Sequence, residues 1–205
     1  MLLWFLGFGL LIVIGFAMTI LAIDYSQYKR NQRIIQSLTK TRKPSKTLVV
    51  FFSRSGNTEL MARKIAEIED AQILPITSNK YNIGFKGWMQ ALQDARKTAA
   101  EITPDKIDLS PFDTIYIGSP IWLYSPAPPV FEFAKNNDFS GKKVILFNSM
   151  NSKFEEQYID EFKNIVEQNG GIFLKHIYII RGRMTQQMDV STFLNEVSKR
   201  VKHNK

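Results

Sequence analysis

Cysteine is absent from this chain of 205 residues. That excludes disulfides, thiolate nucleophiles and cysteine-ligated metals. Histidine is almost absent, and the two present, His176 and His203, are too far apart for a metal-site spacing. His176 alternates with apolar residues and His203 lies in a basic tail, so both read as structural. No serine sits in G-x-S-x-G, which argues against a serine hydrolase. Neither G-x-x-x-x-G-K-[ST] nor G-x-G-x-x-G occurs, so the usual triphosphate and dinucleotide loops are missing. Nothing repeats, and no segment is of low complexity. Glu155 and Glu156 open a helix and suit its dipole, but helical neighbours point apart and make no acid/base pair.

Charge and proline are missing from residues 2–23, a run of 22 residues. As a helix it would be about 33 Å long, just over the roughly 30 Å of a bilayer's hydrocarbon core. The start has no basic residue and the end no small-x-small cleavage site, so the run predicts a retained anchor rather than a signal peptide. Lys29, Arg30, Arg33, Lys40, Arg42, Lys43 and Lys46 follow, against Asp24 alone, and supply +6 of the net +8. Basic residues beside such a helix predict a single-pass protein of an inner or plasma membrane, its C-terminal part cytoplasmic. Tyr25 and Tyr28 stand where interfacial aromatics stand. The expected organisation is an anchor in the lipid bilayer over 1–23, a basic juxtamembrane helix and linker over 24–46, and one domain over 47–205. The domain is nearly neutral, so the high net charge is not a nucleic-acid footprint.

From residue 47 the pattern alternates between strand and helix. Residues 48–52, 71–76, 114–118, 143–147 and 172–180 read as strands. Residues 58–68, 84–102, 130–135, 154–168 and 190–201 read as helices. Five alternations predict a parallel sheet with helices on both faces, and ligands of such sheets bind at the carboxyl ends of the strands. The first strand ends there in Ser53-Arg54-Ser55-Gly56-Asn57-Thr58 and turns straight into a helix. Hydroxyls, an amide and one glycine at a helix N-terminus suit a monophosphate held by neutral donors without a metal. After the third strand, Gly118-Ser119-Pro120 leads to Trp122 and Tyr124, flat surfaces on a loop stiffened by Pro126, Pro128 and Pro129. The alternative for Trp122 is packing of the next helix onto the sheet. Tyr81 reads as a candidate for a substrate or partner surface and Trp88 as core. Arg181 and Arg183 read as a solvated loop, with an acidic partner or a nicotinamide phosphate as the alternative.

"LVVFFSRSGNTELMARKIAE" and "YIGSPIWLYSPAPPVFEF" together resemble the flavodoxin-like FMN proteins. The resemblance covers nearly all of 47–203. It implies a three-layer sandwich around a five-stranded parallel sheet of order 2-1-3-4-5. It places FMN phosphate at Ser53, Arg54, Ser55, Gly56, Asn57 and Thr58, and the isoalloxazine beside Pro120, Ile121, Trp122, Leu123 and Tyr124. The polar edge of the ring would meet Asn148, Ser149, Met150 and Asn151, where many relatives carry a glycine-rich turn and this chain has none. The resemblance implies an FMN-dependent oxidoreductase or electron carrier. With the expected anchor this reads as a membrane-anchored one, its redox partner NAD(P)H or a quinone, the quinone because an anchor would hold the flavin near a lipid-soluble acceptor. A one-electron shuttle with protein partners and a cofactor-free scaffold are the alternatives.

Overall fold

Leu48, Val50 and Phe52 bury toward one face of the first strand, Thr47–Phe52 (β1), and Val49 and Phe51 toward the other. Side chains alternate along a strand, so a run apolar at every position demands cover on both faces. The computed structural model describes residues 2–38, 44–183 and 185–202, with side chains of the first helix described at 11 and from 14 onward. His203 and the expected linker residues Lys40, Arg42 and Lys43 lie outside that set.

The strands after β1 are Gln72–Ile76 (β2), Thr114–Trp122 (β3), Ser125–Pro126 (β4), Lys143–Met150 (β5) and Ile172–Ile180 (β6). The long strands pair in parallel in the order β2-β1-β3-β5-β6, and β4 folds back antiparallel on β3. Leaving the two-residue β4 aside, this is the expected order. The first helix, α1, spans Leu2–Leu38. Helices Asn57–Ile68 (α2) and Val190–Lys202 (α6) cover one face of the sheet, joined by Ile35 of α1. Helices Phe85–Asp94 (α3), Pro128–Asn136 (α4) and Glu156–Gln168 (α5) contribute to the core on the other face.

Three departures matter for the site. The expected helix over 84–102 stops at Asp94. Ala95 leaves helical geometry and Arg96 has φ 74°, while the Asp94 carboxylate is held by Tyr81, Lys80 and Lys97. Strands β3 and β5 run past their expected ends, to Trp122 and Met150.

The third departure is α1. It does not end with the apolar run: the helix continues past Lys29, Arg30 and Arg33 to Leu38 as one element of 37 residues. Asp24, Gln27, Asn31 and Ile35 are 2%, 6%, 0% and 3% exposed, and their spacing places them on one helical face. That face docks onto the domain, so residues 24–38 are no free linker. Among the described residues, no helix is long and apolar enough to cross a membrane. The expected transmembrane anchor and the single-pass membrane localisation drawn from it are overturned.

Candidate functional site

The turn after β1 is built around Gly56, which has φ 87°. A side chain there would be strained in the left-handed region, and its Cβ would lie 2.8 Å from Asn31 Cβ. The backbone N–H of Gly56 donates to Ser53 Oγ at 3.1 Å, and Leu60 N–H donates to the Gly56 carbonyl at 3.0 Å to begin α2. Thr58 is buried, its hydroxyl 2.8 Å from Ser149 Oγ. That bond fastens the first loop to the end of β5.

The end of β3 supplies the aromatic wall. Trp122 and Ser125 pair across a two-residue turn in which Leu123 has φ 42° and Tyr124 φ 77°. Positive φ at both central residues is what a tight hairpin of this hand requires, and it is costly without glycine. The turn returns the chain at once, leaving Trp122 half-buried at the mouth of the sheet. Its ring meets Tyr81 edge-on at 5.0 Å and Phe52 at 5.6 Å. Tyr81 is therefore core, not surface. Burial and the adjacent Asp94 carboxylate push its phenol well above the usual range. Burial alone would raise Asp94, but hydrogen bonds from Lys80, Lys97 and Tyr81 outweigh it and hold the carboxyl at about 2.

These loops enclose a cavity of about 230 Å³ at the carboxyl ends of β1, β3 and β5. Of the residues expected there, Ser53, Arg54, Ser55, Asn57, Thr58, Pro120, Ile121, Trp122, Leu123, Ser149, Met150 and Asn151 line it. Three do not. Gly56 is covered by Asn31. Tyr124 is turned to the neighbouring surface, with Lys153 4.9 Å and Arg96 5.6 Å from its ring centroid. Asn148 is fully buried: its amide donates to the Ser119 carbonyl at 2.7 Å, and its oxygen lies 2.8 Å from His176 Nε2. Burial pushes the His176 imidazole down to about 4, so it is neutral at ordinary pH and serves to hold Asn148.

Six further residues line the cavity that were not among the expected cofactor-binding residues: Asp24, Gln27, Trp88, Leu92, Arg181 and Gln187. Trp88 was expected in the core. Asp24 and Gln27 come from α1. Both Asp24 oxygens accept from Arg54, at 2.8 and 2.6 Å, and Arg54 also donates to the Gly84 carbonyl at 3.2 Å. Asn31 donates to the Ser55 carbonyl at 2.8 Å and to Asn57 Oδ1 at 2.7 Å. Arg181, expected in a solvated loop, is 2% exposed. Its guanidinium donates to Asn57 Oδ1 and, at 3.5 Å, to Asn31 Oδ1. Burial pushes its pKa down to about 10, with Arg30 adding to the shift and Asp189 opposing it, so it stays charged at neutral pH.

An open parallel sheet with its order reversing between β1 and β3, and an anion-suited loop at that reversal, defines a doubly wound α/β protein with a nucleotide-type site. A family model described as flavodoxin matches residues 46–197, and the chain belongs to the flavodoxin family. Among solved structures it is similar to a flavoprotein of Lactobacillus acidophilus NCFM in complex with FMN. Identity there is 28%, over 65% of this chain and 92% of the other, with TM-score 0.53. It is also similar to a protein of Bacteroides uniformis described as a flavoprotein, at 25% identity over 75% and 99% of the two chains, TM-score 0.57. The fold alone is shared with the Trp repressor binding protein of Bacillus subtilis, 15% identical over 77% and 99%, TM-score 0.51. No curated protein sequence matches this chain.

Proposed function

We propose that the chain is an FMN-dependent redox protein, with the cofactor seated in the cavity between the phosphate-type loop 53–58 and the Trp122 hairpin. The observation that carries this reading is the convergence of those two loops with residues 149–151 on one cavity, in a member of the flavodoxin family. The donor set fits the group. Gly56 gives the loop its left-handed turn, Ser53, Ser55 and Asn57 line the cavity, and the N-terminus of α2 favours an anion. The buried Nε of Arg181 has no hydrogen-bond partner, as expected of a donor facing an anion. When bound, FMN supplies one- and two-electron chemistry.

The residues of the chain bind and orient. Trp122 offers a half-buried ring held edge-on by Phe52 and Tyr81, a fixed wall that would hold a planar ring. Ser149 and Thr58 lock the two loops at a set distance. Asp24 and Gln27 close the side toward α1 and narrow the access of water. Among the described residues that line the cavity, the only carboxylate, Asp24, is committed to Arg54. A general base is thus missing from the described cavity, which favours electron transfer over proton-abstraction chemistry. The test is direct. The purified chain should be yellow, with absorption at about 450 nm from bound flavin, and should bleach on dithionite addition and recover in air. Titration with NADH and NADPH then asks whether either is the donor. A colourless protein that takes up no FMN would refute the reading.

A further inference from the structure

Arg181 is out of place for a loop residue. It is 2% exposed yet lines the cavity, and among the described residues no carboxylate pairs with it. Its known acceptors are two neutral amide oxygens, on Asn57 and Asn31, and its guanidinium carbon stands 4.7 Å from the Phe193 ring centroid. Its Nε is buried without a partner. A guanidinium removed from water is costly unless an opposite charge meets it. The cavity has no such charge to spare, because Asp24 is bound at both oxygens by Arg54. The Asp24–Arg54 pair cancels, and the cavity keeps one net positive charge, next to the N-terminus of α2.

The position is built, not incidental. Arg181 leaves the end of β6 with its backbone N–H bonded to the Met150 carbonyl at 2.9 Å, and its own carbonyl accepts from Met188 N–H at 2.7 Å. Strands β3 and β5 stand between β6 and β1, so about 14 Å of sheet separates the two strands. The long side chain spans part of that gap to reach Asn57 on the first loop. Asn57 in turn accepts from Asn31, and Asn31 from Arg181. Three segments far apart in sequence hold one guanidinium on the phosphate-type loop.

We propose that Arg181 is the charged ligand of the cofactor's phosphate, joining the neutral donors Ser53, Ser55, Asn57 and Thr58, and that it makes the site select a phosphorylated flavin over the same ring without phosphate. This rests on the FMN reading above. It adds a charge to the expected cradle of neutral donors, in which Arg54 is committed to Asp24. A guanidinium presents several N–H groups in one plane and matches phosphate oxygens. Phosphate completes the hydrogen bonding of Nε and neutralises a charge whose hydrogen-bond acceptors in the apoprotein are two amide oxygens.

The experiment compares FMN, riboflavin and inorganic phosphate on the full chain stripped of flavin, by fluorescence quenching and by competition. The wild type should bind FMN much more tightly than riboflavin, and inorganic phosphate should compete with FMN. Arg181→Gln should lose about 10- to 150-fold in FMN affinity, as for a lost bond to a charged group. Its riboflavin affinity should stay within about twofold of the wild type. Arg181→Lys should recover part of the FMN loss, since it keeps the charge without the planar fork. Equal losses for both flavins would mean that Arg181 only shapes the fold, and no loss for FMN would remove it from the site; either overturns the proposal. A wild type that binds neither flavin would instead defeat the FMN reading itself. Should Arg181→Gln fail to fold, nitrogen NMR of the wild type decides. The Arg181 Nε–H resonance should shift with FMN and with inorganic phosphate but not with riboflavin, and an unmoved resonance overturns the proposal.

Discussion

Replacing Asp24 with alanine should release α1 from the domain. The Asp24 and Arg54 side chains are 3% and 10% exposed and meet through two short bonds, 2.8 and 2.6 Å. Arg54 also reaches the Gly84 carbonyl, so the pair ties α1, the first loop and the start of α3 together. Removing one partner of a buried pair costs about 3–5 kcal/mol, because the other charge stays buried and unpaired. Here the Arg54 Nε is already without a partner, so the variant has little to fall back on. The cheapest relief is local: α1 lifts and water reaches Arg54. A cost of that size shifts the docking equilibrium about 100- to 5,000-fold. The assay is hydrogen exchange on peptides covering 24–38 of the full chain, with the melting temperature alongside. Exchange there should accelerate strongly, while the central strands β1 and β3 keep most of their protection. The double variant Asp24→Leu with Arg54→Met should restore protection, since apolar packing often replaces a buried pair without loss. Protection over 24–38 that falls by less than about tenfold in Asp24→Ala would show that α1 docks without the pair.

Gly56→Ala should cost about 1–2 kcal/mol from left-handed strain, plus a steric part, because its Cβ would sit 2.8 Å from Asn31 Cβ; Asn31→Gly should relieve only the second part in denaturant melts. Trp122→Ala should weaken FMN binding by about 2- to 10-fold beyond the loss of area. Trp122→Phe should lose less, and affinity per folded molecule measured by quenching separates this from a collapse of the Phe52–Tyr81–Trp122 contacts. Leu123→Asn should raise stability by about 1 kcal/mol, since Leu123 has φ 42° and is 47% exposed; an unchanged or lower melting temperature would contradict the strain argument. His176 has its pKa lowered from 6.5 to about 4, so the unfolded chain binds its proton first. Its contribution is complete above about pH 6.5 and is lost as pH falls through about 4. His176→Gln should flatten the stability slope across that window, read from urea midpoints at stepped pH.

The sheet was legible in the sequence because its signals are local. Apolar runs such as 48–52 name strands wherever they end up, and β-α alternation leaves few parallel topologies open. The first loop was legible for the same reason: a glycine among hydroxyls between strand and helix is a backbone statement. The finer placement of side chains was not. Once β5 runs on to Met150, alternation sends Asn148 inward to Ser119 and His176 and leaves Ser149 at the cavity. A tight turn with two positive φ angles carries Tyr124 outside while Trp122 stays in. Asp24, Gln27 and Asn31 recur at helical spacing, but a polar stripe looks the same in sequence whether it faces water or a loop. The apolar run before them suggested a membrane for the same reason, since a window of composition does not report what the helix continues into. Burial of a charge depends on its partners. Arg54 finds its carboxylate 30 residues upstream, and Arg181 reaches Asn57 and Asn31 across 124 and 150 residues. Sequence patterns decay within a few turns of helix, whereas the electrostatic cost of a buried guanidinium is settled by whichever atoms the fold brings within hydrogen-bond reach.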